Sequence, residues 1–195
     1  MKDHEAPIVA GIESFEQLVR DRRTTMVVDP TRDVSTEVLQ RLADLAVWAP
    51  NYKRTHPWRF AAFVGAGRVR LGEAFVSALL AAGETDQPRL AKTRMKYTRT
   101  PAILVVGCES SARPDLHTDD LYATAAGIQN LLLGATALGL ASYWSTPPVD
   151  AADEVGRLCG FAPGTVIVGV IYLGWPGTEQ GGTGRRERAV LAIID

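Results

Sequence analysis

The stretch LYATAAGIQNLLLGATALGLASYW, residues 121–144, largely determines how this chain can fold. It belongs to a longer segment, residues 121–149, that contains no Asp, Glu, Lys, Arg or His and is long enough to span a bilayer. Its Gln, Asn and several Thr and Ser residues keep its mean hydropathy low for a membrane span. We therefore expect a helix that continues to Leu138, ends before Gly139 and is covered by protein on every side.

Small residues along this helix allow other elements to approach its backbone closely. They are Ala123, Ala125, Ala126, Gly127, Gly134 and Ala135. With 195 residues, the chain has little other structure with which to surround an uncharged helix. We therefore expect the helix to lie at the centre of an extensive interface between two copies of the chain.

The rest of the sequence predicts helices and strands that are interleaved without regular βαβ units. Apolar spacing, a possible capping box at Ser14 and Gln17, and other start and stop signals predict helices over residues 14–22, from 35 to before 50, 71–82, 118–138 and 150–159, with a polar helix or loop over 87–97. Apolar runs predict strands over residues 60–64, 102–107, 141–144 and 166–173. Because two helices precede the first strand, an α+β sheet covered by helices fits better than a doubly wound sheet.

The C-terminal end carries a late apolar run. Residues 189–194, AVLAII, follow a Gly-rich stretch and would form an exposed strand unless they pair with a sheet edge, for which a second copy is one place. We expect residues 1–195 to form one domain. Within it, residues 1–12 are expected to be flexible and residues 174–195 to form an extension that contacts the partner subunit.

Composition excludes several classes of protein. The chain is 46% hydrophobic and 22% charged, and its formal net charge of -1 gives no reason to expect a nucleic acid or an anionic membrane as partner. Cys108 and Cys159 form no CxxC pair, which favours a reducing cytoplasm and argues against a disulfide or zinc site. Residues 1–11 include acidic side chains and no long apolar segment, so we expect no secretion signal.

Other chemistries have weak support in the sequence. The cluster that most resembles a metal site is His117 with Asp115, Asp119 and Asp120. A helix start explains the last two carboxylates more simply, so we expect no bound metal. The segment GAGRVRLG from Gly65 resembles a dinucleotide-binding fingerprint, but Arg70 stands where the third glycine is required. The chain contains no Ser-His-Asp signature.

Arg22, Arg23 and Thr24 place two guanidinium groups and a hydroxyl at the end of the first predicted helix. This combination suits a phosphate monoester, because guanidinium groups bind phosphate through paired hydrogen bonds. Cations are also favoured at a helix C-terminus, where they meet free carbonyl groups. The motif taken alone leaves both interpretations open.

The connection WAPNYKRTHPWRF, residues 48–60, concentrates aromatic and basic side chains. Its two prolines stiffen the loop and fix the direction of Trp48 and Tyr52, so a flat heterocycle could rest there. Its basic residues are Lys53, Arg54 and His56, with Arg59 beyond them. The three within the loop could stabilise an anionic ring or could be solvated charges. We expect Trp58 to be a core residue that leads into a strand.

Trp144, Ser145 and Thr146 form a third candidate motif, directly before two prolines. Their hydroxyl groups could bond a ring carbonyl of a ligand. They could equally form an ordinary turn or cap the following helix.

The order of these motifs resembles the FMN-dependent nitroreductase family, particularly its small members. The resemblance covers nearly the whole chain, through RDRRTTMVVDPTRDVSTEVLQRLADLAVWAPNYKRTHPWRF, LYATAAGIQNLLLGATALGLASYW and VIVGVIYLGWPG in that order. Its specific parts are R-R-[ST] before the second helix, A-P-x(6)-P-W-x-F, and the helix IQNLLLGATALGL.

The resemblance implies a mixed, mostly antiparallel sheet flanked by helices, in an intertwined homodimer with FMN at the interface. It implies an NAD(P)H oxidoreductase of ping-pong mechanism, in which hydride passes through flavin N5 to a nitroaromatic, quinone or similar small acceptor. No side chain is then expected to be catalytic, because the flavin carries the chemistry. The alternative is a non-catalytic protein that stores or sequesters FMN, because bulky aromatic residues could cover the ring.

The resemblance also assigns roles to residues. Arg22, Arg23 and Thr24 would hold the FMN phosphate and pyrimidine edge. Trp48, Asn51 and Tyr52 would come from the partner subunit, and Trp144, Ser145 and Thr146 would lie near the ring. Arg185 or Arg186, of which we expect Arg186, would be a C-terminal phosphate contact.

Three positions depart from the family pattern. Arg54 stands where many relatives carry Asn, His56 where Gln is usual, and Trp48 where some small members carry Arg. FMN binding is expected to tolerate these changes. The electron acceptor and the preference between NADH and NADPH are expected to depend on them.

Overall fold

Six α-helices and four strands follow one another in the residues that the computed structural model describes, which are 11–147, 151–177, 187 and 189–194. The helices are α1 (Ile12–Asp21), α2 (Thr36–Ala46), α3 (Gly67–Ala81), α4 (Gln87–Lys96), α5 (His117–Ala137) and α6 (Ala152–Cys159). The strands are β1 (Trp58–Val64), β2 (Ala102–Cys108), β3 (Ala141–Ser145) and β4 (Val166–Gly174), and 3₁₀ turns occur at Tyr52–Arg54 and Pro114–Leu116. The predictions for residues 1–10, Asp150, Arg185 and Arg186 lie outside the described residues.

The four strands form one antiparallel sheet in the order β1-β2-β4-β3, so β1 and β3 lie at its edges. Leu104 of β2 pairs with Ile171 of β4, and Leu173 of β4 pairs with Ser142 of β3. Outside the strands, Thr24 makes a parallel bridge to Ser142 at the free edge of β3. The α+β architecture predicted from the sequence is confirmed.

Helices cover both faces of the sheet. On one face, α2 and α5 pack over a core that is mainly aliphatic and includes Leu42, Leu104, Ile128, Leu131 and Ile171. On the other face, α3, α4 and α6 enclose a core rich in aromatic residues, in which Phe75 stacks on Tyr97 with ring centroids 4.5 Å apart and Tyr97 faces Tyr172 at 6.0 Å. The cavity described below lies at the edge of the α2 and α5 face.

Packing between α2, α5 and β1 explains the second tryptophan of the sequence motif. Trp58 is buried, and its indole nitrogen donates to the carbonyl of Ala123 in α5 at 3.0 Å. The core interpretation of Trp58 is therefore confirmed. Ser35 accepts a hydrogen bond from the backbone of Val38 at 3.4 Å and caps α2, as helix-start chemistry predicts.

Two helix starts differ from the predictions. The first helix begins after Gly11, whose carbonyl accepts from the backbone of Ser14, so the predicted capping box at Ser14 is wrong. Helix α5, predicted to begin at residue 118, begins at His117 after a 3₁₀ turn and has no side-chain cap. Local propensity places a start only to within a turn, because tertiary contacts decide which backbone groups are satisfied.

Within one subunit, neither α5 nor the apolar run 189–194 is covered in the way that the sequence predicts for the dimer. Helix α5 is not covered on every side, because Tyr122 is 68% exposed and Gln129 is also exposed. Residues 189–194 form no strand in the chain, and Val190 and Ile194 are fully exposed. Both surfaces remain without cover inside one subunit.

Candidate functional site

The candidate site lies where the backbone of Thr24 pairs with Ser142 of β3. The backbone N–H of Thr25 donates to the carbonyl of Ser142 at 3.0 Å, so the segment after α1 runs along the free edge of β3. A cavity of about 390 Å³ lies beside this edge and against α5. Its lining residues are Arg22, Thr24, Gln129, Leu132, Ser142, Trp144 and Thr146. Four of the ten predicted site residues therefore lie together.

Strand geometry divides the predicted residues between two sides. Successive side chains of an extended segment point in opposite directions, so Ser142, Trp144 and Thr146 face the cavity together. Ser145 faces away, is buried, and accepts a hydrogen bond from the Lys96 ammonium at 3.1 Å. Burial lowers the pKa of Lys96, and the charges of Arg99 and Lys92 lower it further.

The same alternation separates the two predicted arginines. Arg22 lines the main cavity with Thr24, and its guanidinium lies 3.5 Å from the Thr24 hydroxyl. Arg23 instead lines a separate cavity of about 190 Å³, where Asp21 is also present. The Arg23 guanidinium donates to the carbonyls of Arg20 and, at 3.2 Å, Arg22. Of the two arginines, Arg22 is the one that lines the main cavity.

Ser142 is a candidate site residue that the sequence reasoning missed. It is 1% exposed, lines the cavity, and its hydroxyl has no hydrogen-bond partner among the described residues. A buried hydroxyl without a partner costs free energy, so its position beside an arginine indicates a place where a ligand can satisfy it. Alternation along the predicted strand from Trp144 was the signal that could have found it.

Trp144 forms a fixed wall of the cavity. Its indole nitrogen donates to the carbonyl of Val168 at 3.3 Å, and the ring lies directly over Gly169. A Cβ atom at Gly169 would lie 2.6 Å from the indole nitrogen, so only glycine permits this close approach. The result is a rigid aromatic surface beside hydroxyl groups and one guanidinium group.

The loop after α2 holds the other predicted residues. Trp48 is 84% exposed and Tyr52 is 58% exposed, whereas Asn51 is half-buried and bonded within the loop. The loop contacts the first turn of α5 through Thr55 and Asp120, while the cavity contacts the same helix at Gln129. Nine residues of helix separate these contacts by about 13 Å. Trp48, Asn51 and Tyr52 are not among the residues that line the cavity within one chain.

The lining of the cavity suits an anionic, flat ligand. Arg22 supplies positive charge, Thr24, Ser142 and Thr146 supply hydroxyl groups, and the described lining contains no acidic side chain. A guanidinium with neighbouring hydroxyls matches a phosphate, and an indole wall matches a ring. The predicted role of Arg186 lies outside the described residues and stays a prediction.

Other site types find no support in the described part of the chain. No group of three or more His, Cys, Asp or Glu residues there could hold a metal ion. None of the described helices is both long enough and apolar enough to cross a membrane. Cys108 and Cys159 are free thiols, and burial raises the pKa of both, to about 12 for Cys159.

Comparison with known proteins supplies independent information. The model of the Nitroreductase family matches residues 19–175. A Bacillus subtilis strain 168 protein named as an NAD(P)H nitroreductase, YfhC, is 25% identical over 165 residues, which cover 83% of this chain and 84% of that protein.

Solved structures agree with the sequence matches. The crystal structure of a nitroreductase-like family protein from Bacillus cereus superposes with a TM-score of 0.76 at 25% identity, over 92% of this chain and 94% of that chain. A nitroreductase with bound FMN from Bacteroides fragilis NCTC 9343 has the same fold, with a TM-score of 0.70 at 18% identity over 92% of this chain and 98% of that chain. With a family match that includes α2, the cavity and all four strands, this chain belongs to the Nitroreductase family.

Proposed function

We propose that this chain is an FMN-dependent NAD(P)H oxidoreductase that works as a homodimer and reduces a nitroaromatic, quinone or similar small acceptor. The observation that carries the proposal is the cavity in which Arg22 and Thr24 meet Trp144 and the unpartnered hydroxyl of Ser142. Membership of the Nitroreductase family and the FMN bound by the Bacteroides fragilis relative support the choice of ligand.

The lining residues fit the parts of FMN. Arg22 and Thr24 would hold the phosphate, and the hydroxyl of Ser142 would bond a polar group of the ligand. Trp144 and Thr146 would support the ring. Ser145 faces away from the cavity, so it would contribute indirectly, through its hydrogen bond from Lys96. Arg186 would add positive charge near the phosphate, and Arg23, from its separate cavity, would contribute only at a distance.

When bound, FMN would supply the two-electron redox chemistry that links NAD(P)H to the second substrate. For a quinone the overall reaction is NAD(P)H + H⁺ + quinone giving NAD(P)⁺ + hydroquinone. The protein contributes binding, orientation and charge. Trp144, fixed over Gly169, would hold one side of the ring in place.

The exposed side of α5 supports a shared site. A charge-free stripe that includes Tyr122, Ala125, Gln129 and Leu133 runs along this side, from the loop contact to the cavity. A twofold axis through the middle of the stripe would exchange its two ends, because in such an interface each surface contacts its own copy. The loop of one subunit, with Trp48, Asn51 and Tyr52, would then meet the cavity of the other.

Two further apolar surfaces support a dimer. Ile12, Phe15 and Val19 are exposed on one side of α1. The apolar run 189–194 is also exposed. Contiguous exposed apolar surface of this kind marks an interface. The free thiols of Cys108 and Cys159 are compatible with a cytoplasmic location.

Storage or sequestration of FMN is the second candidate. It is favoured by the bulk of Trp144, with Trp48 and Tyr52 from the partner, which could cover the ring face that a substrate needs. Bleaching of the visible flavin spectrum by NADPH or NADH, followed by recovery of the colour with para-nitrobenzoate or menadione, is expected for the enzyme. A spectrum that stays unchanged after addition of both nucleotides would support storage.

Substitution of Arg22 tests the cofactor assignment. We expect Arg22→Ala to raise the Kd for FMN by about 10- to 100-fold, because a charge-assisted hydrogen bond contributes about 1.5–3 kcal/mol. Arg22→Ala combined with Arg23→Ala is expected to give a folded, colourless dimer. Arg157→Ala is the matched control, since it removes an exposed guanidinium from α6, on the opposite face of the sheet. Unchanged FMN binding by the double variant would contradict the phosphate assignment.

A further inference from the structure

The loop after α2 contains an unusual backbone conformation. Lys53, Arg54 and His56 have φ angles of 59°, 53° and 52°, in the left-handed region. Glycine adopts this region without steric cost and asparagine adopts it with little, whereas long side chains rarely do. The chain nevertheless has bulky, basic residues at all three positions.

A partly buried hydrogen-bond network holds this conformation. The Asn51 side chain accepts from the backbone of His56 at 2.8 Å and donates to the Thr55 hydroxyl at 3.0 Å. The Thr55 hydroxyl donates to the carboxylate of Asp120, which is fully buried in the first turn of α5. The other oxygen of this carboxylate accepts from the backbone of Ser111 at 2.9 Å. A helix N-terminus favours a carboxylate, so Asp120 anchors the loop to the core of the protein.

Two cations of the loop, Lys53 and Arg54, have no acidic partner among the described residues. Arg59 and Arg113 nearby are paired with Glu109 and Asp115, respectively. Lys53 and Arg54 are exposed and form no ion pair with any described residue. The Lys53 ammonium lies 5.0 Å from the centre of the exposed Tyr52 ring, so cationic and aromatic surfaces adjoin. Strained backbone that is held in place by a network is characteristic of binding sites.

We propose that Lys53 and Arg54 recognise the anionic group of a planar electron acceptor, such as an aromatic carboxylate. Asp120 and Thr55 act as positioning residues that hold the two cations in place. The inference rests on the proposed function, because the loop reaches the cavity only across the dimer. The acceptor site of this enzyme is therefore selective for charge as well as for shape.

Equilibrium binding tests the selectivity directly. The ligands are para-nitrobenzoate and para-nitrobenzamide, which match in shape and differ in charge, and calorimetry measures their Kd for the oxidised, FMN-loaded dimer. We expect the carboxylate to bind about five- to tenfold more tightly than the amide, and added salt to reduce this ratio. Lys53→Gln with Arg54→Gln is expected to bring the ratio close to one. Arg113→Gln removes a nearby paired cation and is expected to leave the ratio unchanged.

Variants of the network test positioning separately from charge. Thr55→Val keeps the shape of the side chain but breaks the link between Asn51 and Asp120, and we expect it to lower the ratio about threefold. Thr55→Ser restores the hydroxyl and is expected to retain the ratio. Thr124→Val is the matched control. The Thr124 hydroxyl donates to the backbone carbonyl of Asp120 at 2.8 Å, so this variant also removes a threonine hydroxyl that bonds to Asp120, but one outside the loop.

Reoxidation kinetics give a second measurement and separate the two possible failures. The protein is first reduced with stoichiometric dithionite and then mixed with each nitro compound. We expect the reduced wild type to react faster with the carboxylate than with the amide. In Lys53→Gln/Arg54→Gln we expect the two rates to be equal. A dimer that binds FMN and turns over, but shows the same ratio in wild type and in the variant, overturns this inference alone. If the protein binds no FMN, or if NAD(P)H does not reduce the bound flavin, both the proposed function and this inference are overturned.

Discussion

The two faces of the sheet are completed in different ways. On the face formed by α3, α4 and α6, the aromatic core is enclosed by the chain itself, and the helices carry ion pairs on the outside, such as Arg94 with Glu73 and Arg157 with Glu154. On the face formed by α2 and α5, the aliphatic core is equally buried, but the outer side of α5 exposes Tyr122 and Gln129 and carries no charge along its length after Asp120.

This difference indicates that the outer side of α5, unlike the outer sides of α3, α4 and α6, is the surface that a second copy of the chain is expected to cover. Water covers a charged helix surface favourably, whereas a contiguous uncharged surface is better covered by protein. The cavity and the strained loop both lie on the uncharged side, at opposite ends of the same stripe. The face that one chain leaves incomplete is thus the face on which the candidate site is built.

A charge in the middle of the α5 stripe is the strongest way to break the comparison. We expect Ala125→Glu to weaken the dimer by more than about a hundredfold in Kd, because each copy would bury an unpaired carboxylate at a cost of several kcal/mol. Light scattering measures the loss of dimer, and FMN should be lost with it. Leu80→Glu places the same charge at an exposed apolar position of α3 and should change neither. A stable Ala125→Glu dimer would show that α5 is not at the interface.

A methyl group at Gly127 tests how closely α5 packs on its own face. The added Cβ atom would lie 2.7 Å from the Trp58 indole nitrogen and 2.9 Å from the carbonyl oxygen of Ala46. Gly127→Ala should therefore lower the free energy of unfolding by about 1–3 kcal/mol, as overpacking does. Denaturant unfolding of the dimer at fixed protein concentration measures the change. Wild-type stability in this variant would mean that α2 and α5 are less closely packed than the structure shows.

The matched substitution on the other face should have the opposite sign. Gly156 lies within α6, and a Cβ atom there would meet no other atom within 4 Å. Gly156→Ala should raise the free energy of unfolding by about 0.5–1 kcal/mol, because alanine loses less backbone entropy in a helix. The same unfolding experiment measures it. A destabilised Gly156→Ala protein would mean that the space beside Gly156 is smaller than the structure shows.

Much of the site could be predicted from residue types. Arg22, Thr24, Trp144 and Thr146 were all selected from the sequence, and the structure gathers them around one cavity. The sequence could not show which side chains of a strand point into the cavity. Ser145 was selected where Ser142 faces the cavity, because identifying the inward-facing side chain requires the neighbours of the strand as well as its alternation.

The sequence by itself determined the alternation of helices and strands, the buried strands, the uncharged helix and the family to which the chain belongs, because these depend on local periodicity and on motifs read in order. Tertiary structure decided which arginine lines the cavity, which hydroxyl is left without a partner, and that Asp120 anchors the loop instead of merely starting a helix. Those outcomes depend on contacts between residues far apart in the chain, such as Thr55 with Asp120 and Thr24 with Ser142. Such contacts form only when the sheet edge and α5 come together, and no local pattern encodes them.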